Sequence, residues 1–334
     1  MSEFNRVVID ADWCIYGAGF SGEKRSIKAI EKQSGNEYDL PNRTALWGRK
    51  KSKDGGYLEE LNKSRDTPLT WEDFEIIDIQ TPEPIENILY TAKRMIEGVS
   101  QTTGVEKRQL FVGEGKAFRH ARSTILEYKG NRDGTLLPIY KDEIKEYLIK
   151  YHKAVVVKDL EVDDVVVIEG QEEGTLVSSV DKDSTGCPIY LFNPNHPDWG
   201  IVDCRGFGEL WWDTSGKTKI LRGKGRKFFY KQVLTGDLVD HYKPNAASDV
   251  EFGDVSAFEA LNDCANDLEC FKAIKDAYQK MYPSPKKVYG WRGDVLEIDW
   301  LYVANEIFDL ARMKRSYDDN VVFSDVLAKY DLLD

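Results

Sequence analysis

With 334 residues, 41% of them hydrophobic and 12% aromatic, the chain has apolar mass for one large or two ordinary domains, which excludes a disordered protein. No apolar run approaches the roughly 18 residues of a membrane span and the N-terminus lacks the apolar stretch of a secretory leader, while five cysteines without Cys-x-x-Cys spacing favour reduced thiols in a cytosol over zinc. The net charge of −12 argues on its face against a nucleic-acid partner, but Lys217, Lys219, Arg222, Lys224, Arg226 and Lys227 put six cations into eleven residues, and Arg119, Arg122, Lys129 and Arg132 form a second basic group.

Along the chain, Arg6-Val7-Val8-Ile9 reads as a strand that stops at Asp10-Ala11-Asp12. An acid in that place lies at the carboxyl end of a sheet, where α/β proteins keep their sites. From about 21 to 66 the composition turns to Gly, Lys, Asn, Asp and Ser, which reads as a long, partly mobile insertion, either bordering a substrate entrance or a plain surface loop. Trp71 to Ile77 reads as extended. Pro84 opens a helix with Ile85, Ile88, Leu89, Ala92 and Ile96 at helical spacing. Gln109 to Gly113 is a second strand, followed by Glu114. A helix over 139–152 carries Tyr140, Ile144, Leu148 and Tyr151 on one face. Ala154 to Val157 is a third strand, and Leu160-Glu161-Val162-Asp163-Asp164 opens the helix after it. Thr175 to Val180 is a fourth strand, ending in Asp181-Lys182-Asp183. Short β runs over 188–192, 200–203, 207–213 and 218–221 predict an antiparallel meander. A helix over 227–234 leads to Gly236-Asp237-Leu238-Val239-Asp240, and the remainder reads as mostly helical.

Acids therefore cluster at four separated places: Asp10 with Asp12; Glu161, Asp163 and Asp164; Asp181 with Asp183; and Asp237 with Asp240. Like charges so crowded raise one another's pKa and cost stability unless a cation sits among them. Mg²⁺ and Mn²⁺ prefer such hard carboxylate oxygens. A pair of ions about 4 Å apart supports in-line phosphoryl displacement. Lys129 and Arg132 are placed to act on a phosphate, and Tyr128 to stack on a base. The histidines His120, His152, His196 and His241 are too dispersed for a triad or a zinc site.

Six motifs stand in an order that resembles the flap endonuclease family, most like the bacteriophage 5′-to-3′ exonucleases: Val8 to Trp13, Phe118-Arg119, Glu127 to Asp133, Leu160 to Asp164, Ser178 to Asp183 and Thr235 to Asp240. The resemblance spans about 6 to 258. It implies an α/β core of mostly parallel sheet with helices on both faces, a PIN-like 5′ nuclease fold with a helical arch over about 114–152. It further implies a nuclease core over 1–235 and a mostly helical DNA-binding region over 236–334. By the same resemblance Asp10, Glu161, Asp163 and Asp181 hold one Mg²⁺, with Asp164 shared or behind them. Asp183, Asp237 and Asp240 hold a second, and Mn²⁺ substitutes. Lys129 and Arg132 match the cations that act on the phosphate, while Glu114 stands one residue out of register. Tyr128, Arg119, Arg122, Lys224, Arg226 and Lys227 are expected to contact nucleic acid. The implied activity is hydrolysis of DNA from 5′ ends or flaps, with RNA–DNA hybrid a further candidate, in phage replication or recombination within the host cytosol. The Gly-rich hairpin that the family carries after Asp240 is replaced by His241 to Ala247.

Two other readings fit fewer residues. A haloacid dehalogenase-type phosphatase would use Asp10 as nucleophile but leaves Glu161 to Asp164 and Tyr128 to Arg132 unexplained. A non-catalytic nucleic-acid-binding relative would have no use for so many clustered acids.

Overall fold

The computed structural model describes residues 3–49, 55–132 and 134–333. In chain order its strands are β1 (Arg6–Asp10), β2 (Glu23–Glu31), β3 (Glu37–Leu40), β4 (Phe74–Pro82), β5 (Arg108–Gly113), β6 (Val155–Val157), β7 (Thr175–Ser178), β8 (Tyr190–Phe192), β9 (Ile201–Asp203), β10 (Glu209–Asp213), β11 (Ile220–Lys224), β12 (Lys286–Tyr289) and β13 (Val295–Ile298). Two compact units form, one from Met1–Trp13, Met95–Leu136 and Glu146–Asp334, the other from Cys14–Arg94 and Leu137–Lys145.

The first unit is built on a six-stranded sheet of order β6-β5-β1-β7-β8-β9. All its pairings are parallel except β8 with β9. Val7, Val8 and Ile9 in β1 are fully buried, the pattern of a central parallel strand covered on both faces. Val8, Phe111 and Val177 share one face with Val162, Val165 and Val166 of the helix Val162–Gly170. Gly170 lets that helix end lie close, since a Cβ there would fall 2.2 Å from a Val177 methyl. The chain leaves β1 for β5 on one side and β7 on the other, so β1 sits where the strand order reverses. In such sheets the crevice at the carboxyl ends of the strands is the ligand site. Helices Arg226–Thr235, Asp254–Leu261, Asp267–Met281, Trp300–Ala311 and Phe323–Lys329 surround a second core that includes Phe229, Tyr278 and Phe308. The fold is thus the expected mixed α/β arrangement around a mostly parallel sheet, with a largely helical C-terminal part. Among the described residues no helix is long and apolar enough to cross a membrane, and all five cysteines are free thiols.

Two expectations are corrected. The stretch 21–66 is not a loop: β2 and β3 pair with β4 in an antiparallel sheet β3-β2-β4. Ile27, Ala29, Leu46, Leu58, Leu69 and Phe74 form its core in the second unit. The period-2 alternation of Ile27 and Ala29 marks the strand, but its longest partner, β4, lies beyond the polar window that suggested a loop. Residues 50–54 of that stretch lie outside the described residues, as does Asp133 at the end of the basic run. Nor do the runs over 188–221 make one meander. Strand β8 joins the central sheet parallel to β7, β9 pairs antiparallel to it, and β10 and β11 form a separate hairpin.

Candidate metal centre

Each acid is placed by an element end. Asp10 closes β1 and accepts a 3.0 Å bond from the Asp12 amide, and Asp12 Oδ1 accepts one of 3.1 Å from the Gly113 amide at the end of β5. Glu161 is the N-cap of Val162–Gly170, putting Asp163 and Asp164 in its first turn, where the exposed amides favour negative charge. Asp181, three residues past β7, caps the 3₁₀ turn Lys182–Gly186 and accepts a 2.7 Å bond from the Asp183 amide. Asp237 and Asp240 lie on a tight turn fixed by the mutual Asp237–Tyr242 backbone bonds. Asp237 Oδ1 accepts from the Val239 and Asp240 amides at 2.6 and 3.2 Å.

Cations meet Glu161, Asp164, Asp183, Asp237 and Asp240. Arg119 is 2% exposed and forks onto Asp164 at 2.6 and 2.8 Å, reaches Glu161 at 2.9 Å, and donates to the carbonyls of Leu310 and Arg312. Asp164 also accepts the Lys314 amide at 2.9 Å, so this fully buried carboxylate is saturated. The Lys129 ammonium bonds Glu161 and lies 3.8 Å from Asp240, and Arg132 reaches Asp240 at 2.6 Å. The Tyr128 hydroxyl donates within reach of both Glu161, at 3.0 Å, and Asp240, at 2.8 Å. Lys182 bonds Asp237 and lies 3.0 Å from Asp183.

One backbone bond and two side-chain bonds place the segment that carries these cations. Lys129 has φ +57, and its amide donates to the Asp240 carbonyl at 2.9 Å. Asn131 and Arg132 donate to the carbonyls of Leu238 and Val239, so the segment Tyr128–Arg132 is stapled along the turn. Gly236, at φ +67, admits the turn, because a Cβ there would fall 2.3 Å from the Tyr242 carbonyl oxygen.

Electrostatics divide the acids in two. Burial alone would raise Glu161, yet Arg119 and Lys129 bring it down to about 2. Asp237 is likewise held below the usual carboxylate range, Lys182 outweighing burial. Burial, then Asp12, pushes Asp10 up to about 7. Burial, then Asp10 and Asp181, holds Asp163 well above the usual range, and its Oδ1 is buried with no hydrogen-bond partner. Burial raises Asp181, and burial with Asp181 pushes Asp183 up to about 8. The second set is short of positive charge, even with Lys182 beside Asp183.

Among the described residues no three His, Cys, Asp or Glu side chains converge into a ready-made ligand set, so seating an ion requires side chains to turn. By donor chemistry the second set fits a hard divalent cation: oxygen only, mutually repelling, with the buried Asp163 Oδ1 orphaned.

No family model matches the chain, and no curated protein matches it. Among solved structures, a crystal structure of the T5 D15 protein co-crystallized with metal ions aligns at a TM-score of 0.39 and 16% identity, over 67% of this chain and 79% of that one. The functional reading therefore rests on the side chains.

Several expected nucleic-acid contacts are placed otherwise. Arg119 and Tyr128 are each 2% exposed and hold the acid group together, so neither meets solvent as placed. Lys227 is buried and donates to the Asn262 carbonyl, because its position faces the helical core. Arg226 pairs with Asp267 and Lys224 with Glu209 at the surface, and Arg122 is exposed, 3.8 Å from Asp309. Glu114 pairs with Lys158 at 2.9 Å. Lys182 was missed, although its place between Asp181 and Asp183 in sequence is the signal for it.

Proposed function

We propose that the chain is a divalent-metal-dependent nuclease that hydrolyses DNA phosphodiesters from 5′ ends or flaps, in phage-type replication or recombination. The observation that carries the reading is the set of Asp10, which is buried, with the half-buried Asp163, Asp181 and Asp183. It is drawn from two strand ends and a helix start, and desolvation, then the neighbouring carboxylates, raises its pKa values. Supporting it are the six motifs in family order.

In this reading Asp10, Asp163 and Asp181 hold one ion, joined by Glu161, and Asp183, Asp237 and Asp240 hold another. Asp164 instead anchors Arg119, which fixes Glu161. When bound, such ions supply Lewis-acid stabilisation of phosphoryl oxygens and a lowered pKa for water. Lys129 and Arg132 turn from Glu161 and Asp240 to grip the scissile phosphate and offset its developing charge. Tyr128 keeps its hydrogen bond to the acid group and so holds the cation segment in place. Hydrolysis leaves the 5′-phosphate on the product. The phosphatase alternative uses Asp10 as nucleophile and leaves Glu161 and the cation segment Tyr128–Arg132 bonded beside it without a role.

The test is a duplex with a 5′ flap, labelled at either end in separate reactions, with Mg²⁺ or EDTA, on wild type and Asp163→Asn/Asp181→Asn. Metal-dependent loss from the 5′ side, absent in the variant while DNA binding persists, is expected. DNA left intact by folded wild type in both Mg²⁺ and Mn²⁺ would overturn the reading.

A further inference from the structure

Beside the acid group lies a cavity of about 440 Å³ walled by Ala117, Phe118, Ala121 and Trp291, with Glu127 and Asp159 also lining it. That volume lies in the range of small-ligand sites. Trp291 comes from the tip of the hairpin β12–β13, and it is fixed. Its indole N–H donates to the Ser123 carbonyl at 2.9 Å and its amide to the Thr124 carbonyl at 3.2 Å. Arg292 ties the tip down further, donating to the carbonyls of Ser123 and His120 at 2.7 Å each. The residue nevertheless stays 38% exposed, an aromatic side chain held without the freedom that binding would otherwise remove.

We propose that this cavity is a stacking site for one unpaired nucleobase, selective for bases that carry an exocyclic amine. The proposal rests on the nuclease reading for its ligand class and extends it to a specificity-determining residue, Trp291. Stacking on an aromatic ring is open to every base, since each has a π-face. The carboxylates of Glu127 and Asp159 only accept hydrogen bonds at neutral pH, so they repel a phosphate and suit the amines of adenine, cytosine or guanine, which thymine lacks. Cationic Lys116 in the lining suits a flanking phosphate, while the Arg292 guanidinium, 4.1 Å from the Trp291 ring centre and tied to the Ser123 and His120 carbonyls, braces the ring. The cavity also adjoins the chemistry. His120 packs edge-on to Tyr128 at 5.4 Å, and Glu127 is two residues, about 7 Å of extended chain, from Lys129.

The test measures binding of short fluorescein-labelled single strands of deoxyadenosine, deoxycytidine or thymidine to the full chain in EDTA, by anisotropy. Wild type is expected to hold the adenine and cytosine strands more tightly than the thymine strand. Trp291→Ala weakens the first two roughly tenfold. Trp291→Phe keeps a ring but loses the Ser123 bond and is expected to retain most of the affinity, which separates stacking from anchoring of the hairpin. Glu127→Gln with Asp159→Asn narrows the difference among the three strands. Binding by Trp291→Ala equal to wild type, or by Trp291→Phe as weak as Trp291→Ala, overturns the proposal. Flap cleavage with unchanged Trp291→Ala binding overturns the stacking site alone. Base-selective binding without any cleavage in Mg²⁺ overturns the nuclease reading alone.

Discussion

Arg119 and Asp163 stand for the two ways a buried charge is managed here. Arg119 has every nitrogen committed, to two carboxylates and two backbone carbonyls. Removing it leaves Asp164 buried and unpaired, so Arg119→Met is expected to cost about 3–5 kcal/mol in urea unfolding, before any effect on catalysis. Asp163 is the opposite case, a carboxyl with one oxygen unpartnered and its pKa raised. A carboxyl whose folded pKa exceeds its unfolded value binds more protons when folded, so it contributes stability at low pH that is lost as pH rises through the folded value. With Asp10 at about 7 and Asp183 at about 8, the Tm in EDTA is expected to fall between pH 6 and pH 8. Asp163→Asn should raise Tm at pH 8 and flatten that slope, and a wild-type Tm that climbs across the same window would contradict the assignment.

The turn from Gly236 to Tyr242 is the element on which the cations depend. Gly236→Ala forces an L side chain into positive φ and against the Tyr242 carbonyl. It is expected to cost about 1–3 kcal/mol and to speed amide exchange at Val239 and Asp240, whose amides Asp237 holds. The acids of such elements were legible in the sequence because strand ends and helix starts are marked locally, by Val7-Val8-Ile9 before Asp10 and by Glu161 before an apolar run. The fate of the basic residues was not. Arg119 and Lys227 look like surface cations in sequence, and only packing against the helices of the C-terminal part makes them internal. Strand β2 was hidden for the same reason, since its partner β4 begins more than forty residues after β2 does. The hairpin carrying Trp291 went unread because its strands are only four residues long, with polar Lys286 on the covered face and apolar Tyr289 and Val295 on the exposed one, which blurs the alternation.

For the molecule as a whole, a net charge of −12 is a stability burden through self-repulsion, to which the crowding of Asp10, Asp163, Asp181 and Asp183 adds locally. A ligand that binds only the folded state stabilises it by mass action. Mg²⁺ titrated into the EDTA-treated protein is expected to raise Tm saturably in wild type and not in Asp163→Asn/Asp181→Asn, which differential scanning calorimetry would register. An equal rise in both would mean that the ion screens surface charge and occupies no site.

The stapling of Tyr128–Arg132 onto Leu238–Asp240 also sets a rule for building chimaeras. Three backbone carbonyls of the second loop are the acceptors for the first, and Lys129 takes its left-handed conformation where its amide meets one of them. The two loops are thus one cassette divided by about a hundred residues of sequence. Exchanging either against that of another scaffold leaves donors without acceptors, whereas grafting both together carries the grip across intact.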